Sequence, residues 1–132
     1  MEQNVAFTRI REAFQKRGAE VGRTSLCESQ AGPCIEIALI SPQVAARHAD
    51  LLEALVEETR WNLRFAREPN QHLIKQRVRE ILPAEWGLKK EPGFLKAEGK
   101  VRLKLSARPA AQDLTRVAER VLEVTGMELE VD

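Results

Sequence analysis

The sequence predicts an α+β protein made by internal duplication of an α-β-β-α-β unit, each copy a three-stranded mixed sheet covered on one face by two helices. Three observations predict it. Residues 34–65 fall on residues 100–131 at a shift of 66 without a gap, so that Leu39, Ala45, Glu53, Glu57, Thr59 and Leu63 meet Leu105, Ala111, Glu119, Glu123, Thr125 and Leu129. Apolar character agrees where identity does not: Ile35 meets Val101, Ile37 meets Leu103, Leu55 meets Val121 and Phe65 meets Val131. The match also continues upstream in the same order. Arg9-Ile10-Arg11-Glu12 falls on Arg77-Val78-Arg79-Glu80, and Ala19-Glu20-Val21-Gly22 on Ala84-Glu85-Trp86-Gly87. The shift changes only between elements, where loops absorb insertions.

The copies span 1–66 and 71–132, joined by the short linker 67–70. A unit of roughly 65 residues has only a marginal core alone. The two are therefore expected to pack together as one compact body.

The first helix runs from Asn4 to about Lys16. Val5, Ile10, Ala13 and Phe14 share a face at helical spacing, and Asn4 is the expected N-cap. The first strand is expected over Glu20–Cys27, with a turn at 28–33. Cys34–Ile40 is the clearest strand: Ile35, Ile37 and Leu39 alternate with Glu36 and Ala38. Ser41-Pro42 opens one long helix, because serine caps and proline suits the first turn. Its apolar stripe is Val44, His48, Leu51, Leu52, Leu55 and Val56. Trp61–Phe65 is the third strand, with Trp61, Leu63 and Phe65 facing inward.

In the second copy a helix spans Gln71 to Leu82, where Pro83 closes it. Trp86–Lys90 and Phe94–Lys96 form a first strand interrupted by Pro92-Gly93. Lys100–Ser106 is the second strand. Pro109 opens a helix to about Val124, Gly126 ends it, and Met127–Val131 is the last strand. This element order resembles that of small KH-like and BON-like modules, and equally that of many unrelated folds. A KH module clamps its ligand with a Gly-x-x-Gly loop; no such spacing occurs, and no family is assigned.

The strand order follows from an exchange of charge. Glu36 becomes Arg102 at the shift of 66, and Arg64 becomes Glu130. Each copy keeps one acid and one base with their places swapped. Opposite charges on adjacent strands attract and like charges repel. The second and third strands are therefore expected to lie side by side and parallel, in the order 1-2-3.

Composition narrows the function. Hydrophobic residues make up 43% and charged residues 31%, as in an ordinary soluble protein. Aromatics at 5% leave the core to aliphatic side chains. No apolar run is long enough to span a membrane. Arg9 and Arg11 interrupt the only N-terminal apolar stretch, so no signal peptide is read and the cytoplasm is the expected compartment.

No Ser-His-Asp, Cys-His or glycine-rich phosphate loop is present, and no catalytic residue is assigned. No cofactor and no metal are expected. Only His48 and His72 could join Cys27 and Cys34 as ligands, and the second copy has Lys96 and Lys100 near the cysteine positions. Cys27 and Cys34 flank the first turn, spaced for a hairpin disulfide where the geometry fits, or for two reduced thiols in a cytosolic protein. His48 replaces Leu114 on a buried stripe, and His72 stands near a helix start; both read as structural.

The net charge of +1 hides an uneven distribution. Residues 71–108 carry ten Lys/Arg against four Glu, a local charge of +6, whereas residues 109–132 carry −4. The function read from this is a non-catalytic module that binds single-stranded DNA or RNA through a basic surface on the second repeat. The contact residues are Lys89, Lys90, Lys96, Lys100, Arg102 and Lys104, followed by Arg77 and Arg79 of the duplicated Arg-x-Arg pair. Phe94 stands among these lysines: exposed, it stacks on a base; buried, it is core. The competing class is a protein-interaction or assembly domain, such as an accessory part of a larger protein; an enzyme ranks last. A monomer or weak homodimer is expected.

Overall fold

The computed structural model describes the whole chain, Met1–Asp132. It is α+β, with five α-helices and two three-stranded mixed sheets. Two compact units divide it, Met1–Pro69 and Asn70–Asp132. No helix is long and apolar enough to cross a membrane.

In the first unit α1 (Gln3–Lys16) precedes the hairpin β1 (Arg23–Ser29) and β2 (Gly32–Ala38). Two short helices, α2 (Pro42–Ala46) and α3 (Ala49–Thr59), then lead to β3 (Asn62–Phe65). The strands lie in the order β1-β2-β3, with β1 antiparallel and β3 parallel to β2. Period-2 alternation buries Ile35 and Ile37 on the inner face, beside Ala6, Ile10, Ala13 and Phe14 of α1. The Phe14 ring meets Phe65 edge-on at 6.0 Å, so α1 lies on the face that carries β3. Burying side chains such as Ile10 and Phe14 contributes about 1.5–3 kcal/mol each.

The second unit runs α4 (Gln71–Ile81), β4 (Gly93–Leu95), β5 (Lys100–Leu103), α5 (Ala111–Thr125) and β6 (Glu128–Val131). Its sheet order is β4-β5-β6, with antiparallel and parallel pairings in the same sequence as in the first sheet. Helix α4 packs on α5, and α5 on β6. Ile74, Val78, Val101, Leu103, Val121 and Met127 form the core. Asn70 accepts the Leu73 N–H at 3.1 Å and so caps α4.

The expected strand order holds in both sheets. Glu36 lies opposite Arg64, and Arg102 opposite Glu130. The registers of the two parallel pairs differ by 66 residues at every position: Cys34↔Asn62 against Lys100↔Glu128, and Ile37↔Phe65 against Leu103↔Val131.

Several expectations are corrected. Asn4 does not cap α1. The helix starts one residue earlier, with Glu2 at the cap making no side-chain bond, and the Asn4 carbonyl instead accepts from Thr8. The long helix after Ser41 is broken at Arg47-His48. Ser41 does cap it, accepting the Val44 N–H at 3.2 Å, but the stripe is interrupted. Val44, Ala45 and Leu55 are buried, Leu51 and Leu52 only half-buried, and the His48 and Phe14 rings meet T-shaped with centroids 5.8 Å apart. Trp61 stands just before β3, half-buried, its indole N–H donating to the Met1 carbonyl at 2.7 Å. Trp86 is buried in a 3-10 turn rather than in a strand. The strand expected over Trp86–Lys90 is reduced to one bridge, Leu88↔Leu105. Gly87 makes the entry possible: its φ is +61°, and a Cβ there would lie 2.9 Å from that of Ser106.

Cys27 and Cys34 are directly opposite in the β1–β2 register, with Cα atoms 5.1 Å apart, and form a disulfide. The reading of them as reduced thiols is thereby replaced. The two-residue loop at Gln30 and Ala31 fixes the register that brings them together.

Candidate nucleic-acid interface

Strand β5 and the two residues after it sort their side chains by alternation. Val101, Leu103 and Leu105 are buried on one side, which sends Lys100, Arg102 and Lys104 to the other. The segment Gly87–Lys89 joins this ladder. The Ser106 N–H donates to the Gly87 carbonyl at 2.7 Å, and the Lys89 N–H to the Lys104 carbonyl at 2.9 Å. Leu88 and Leu105 face the core as the bridged pair, so Lys89 and Lys104 face each other on the outer side. Lys89, Lys90 and Lys104 are exposed and carry no ion pair. Two ammonium groups opposite each other on adjacent strands repel, a cost that an incoming anion would remove.

Lys96 is exposed in a 3-10 turn, and Lys100 is half-buried at the start of β5. These five lysines lie on or beside the β4–β5 ladder. The arginines of the predicted contact set are engaged elsewhere. Arg102 donates from Nε to Glu130 Oε2 at 2.7 Å, with Asp132 Oδ1 at 3.8 Å. The hydrogen bond from Arg102 holds the Glu130 carboxyl below its usual range, and Glu130 in turn raises the guanidinium. Arg77 bonds both carboxylate oxygens of Glu80 at 3.0 Å, one turn along α4. Arg79 pairs with Glu91. An arginine held by a carboxylate meets phosphate only after giving up that partner, so these three stand behind the lysines.

Phe94 lies opposite Val101 in the β4–β5 register and is half-buried. Opposed residues share a face, so its ring is on the core side, away from Arg102. The Glu80 partner was legible as an i,i+3 spacing on a helix. The Glu91 partner was not, because a loop carries it back to α4. What the arrangement offers is a lysine-rich ladder: point charges able to follow a phosphate chain.

The strands of the first unit carry no lysine. Its outer sheet surface presents the Cys27–Cys34 disulfide beside the Glu36–Arg64 pair, where Arg64 Nε donates to Glu36 Oε2 at 3.0 Å. Arg9 and Arg11, the counterparts of Arg77 and Arg79, bond Glu58 and the Val21 carbonyl. A depression along α3 is lined by Asp50, Glu53 and Glu57, whose charge repels phosphate. Compared with protein-family models and with curated proteins, the chain matches none.

Proposed function

We propose that the chain is a non-catalytic binding module whose second unit holds the phosphate backbone of single-stranded nucleic acid. Lys89, Lys90 and Lys104 make the main contacts, and Lys96 and Lys100 extend them. The observation that carries this reading is the opposition of Lys89 and Lys104, exposed and without ion pairs, on the outer side of one ladder. Attraction to phosphate requires clustered cations and no shaped pocket. Arg77, Arg79 and Arg102 contribute after release from Glu80, Glu91 and Glu130.

The two units are read as copies of one ancestral α-β-β-α-β unit. The constant offset of 66 between the two parallel registers supports this, as do matching closing bonds. The Ala66 N–H donates to the Ile37 carbonyl at 2.9 Å, and the Asp132 N–H to the Leu103 carbonyl at 3.0 Å. On this reading the copies have diverged in charge, and only the second carries lysine on its strands.

Titration of labelled single-stranded and duplex oligonucleotides at two salt concentrations tests the function. The expected result is micromolar or tighter binding to single strands that weakens steeply with salt. Absence of binding at low salt would remove the proposal. One observation favours the competing reading as a protein-interaction domain: Met1, Val5, Leu26 and Leu122 leave large apolar side chains about half exposed.

A further inference from the structure

Strand β1 is an outer strand of the first sheet, and its free edge differs from the equivalent edge of the second. There, β4 has three residues and follows Lys89, Lys90 and Pro92. Short length, lysine and proline are among the means by which sheet edges avoid pairing with one another. Strand β1 has none of these three, and its only charges are Arg23 and Glu28 near its two ends. It keeps seven residues in unbroken register with β2, and contains neither proline nor lysine.

Leu26 is the middle residue of β1. It lies opposite the buried Ile35, on the core face, yet is 52% exposed. The backbone phase follows from Pro33. Lacking an N–H, Pro33 suits a non-bonded pair with Glu28. Alternation then sends the N–H and C=O groups of Thr24, Leu26 and Glu28 away from β2, toward the open edge.

We propose that β1 pairs antiparallel with β1 of a second copy of this chain, about a twofold axis at Leu26, to give a continuous six-stranded sheet. The strand is complementary to itself in that register. Leu26 meets its own counterpart on the core face, covering the exposed side chain. Thr24 meets Glu28, Ser25 meets Cys27 and Arg23 meets Ser29, so no like charges oppose. A slip of one residue would send Leu26 to the wrong face, and a slip of two would separate the leucines. Such an interface is isologous and closed, so it stops at a dimer. Edge contact alone buries less than a standard interface, so the association is weak, with a dissociation constant in the micromolar range or above.

Sedimentation velocity of the full chain, from low to high micromolar concentration, tests this. The expected result is a reversible rise from monomer to dimer mass. Leu26→Lys, at a half-exposed site and with folding checked by circular dichroism, should weaken the dimer at least about tenfold, because two ammonium groups would meet on the axis. In a Cys27→Ser/Cys34→Ser background, Leu26→Cys should oxidise to a covalent dimer, whereas Val5→Cys, equally exposed on α1, should not. A monomer at all concentrations would overturn the proposal. So would a dimer indifferent to Leu26→Lys, or cross-linking that proceeds equally at Val5→Cys.

Discussion

Arg102 donates to Glu130 at 2.7 Å, and the same two strand positions of the first unit hold the pair with its charges exchanged, Arg64 donating to Glu36 at 3.0 Å. The exchange keeps a cross-strand attraction while changing which strand is basic. In the second unit it places the arginine on the lysine-bearing strand and occupies it with a carboxylate. Glu130→Gln should release Arg102 toward phosphate. We expect tighter nucleic-acid binding and a salt-dependence slope steeper by about one. An unchanged slope would show that Asp132, 3.8 Å away, keeps Arg102 engaged.

Thr59 and Thr125 end their helices in the same way. Each is fully buried, donates to the carbonyl four residues back at 2.7 Å, and accepts the N–H two residues on, from Trp61 at 3.3 Å and Met127 at 3.1 Å. Valine keeps the shape but removes the acceptor. Thr59→Val and Thr125→Val should each cost about 1–3 kcal/mol in urea denaturation, because a backbone N–H loses its partner in the interior. Equal stability to the parent would mean that water replaces the hydroxyl.

The next residue is where the helix ends diverge. Gly126 takes the left-handed conformation at φ +76°, as glycine does without strain. Its counterpart Arg60 holds φ +64° and is the one non-glycine residue with positive φ. Arg60→Gly should raise stability by about 0.5–1 kcal/mol, the relief of left-handed strain less the entropy glycine adds to the unfolded chain. Gly126→Ala should lower stability by a similar amount. Calorimetry of both variants checks the sign.

His48 gives the first unit a pH dependence. Burial and the nearby Arg17 guanidinium push its pKa down, against the pull of Asp50. The unfolded chain, with a histidine pKa of about 6.5, then binds more protons than the folded chain in the window just below that value. The stability contribution is complete above the unfolded pKa and is lost as pH falls through the window. His48→Leu, leucine being the residue 66 positions on, should flatten stability between neutral and mildly acidic pH. Asp50, held at about 2 by Arg17, titrates far lower and leaves that window clear.

What the sequence made legible was what short-range pattern controls. Alternation located Ile35 to Leu39 and Val101 to Leu105, the shift of 66 aligned them, and the charge exchange at Glu36 and Arg64 predicted the strand order. Ser41 was readable as a cap because its partner is three residues away. Features set by distant contacts were not legible. Nothing local breaks the helix at Arg47-His48; the His48 ring lies against Phe14, a residue of another helix. The side taken by Phe94 depends on its pairing with Val101, and Pro92-Gly93 hid the phase. The basic block was visible as composition, but the partners that occupy Arg79 and Arg102 come from a loop and from the last strand.

The most direct measurement is fluorescence anisotropy of labelled single-stranded DNA and RNA, at low and high salt, with the parent chain and a Lys89→Glu/Lys90→Glu/Lys104→Glu variant. We predict micromolar or tighter binding by the parent, weakened steeply by salt, and loss of that binding across sequences in the variant. No binding by the parent at low salt, or equal affinity in the two proteins, would contradict the proposed function.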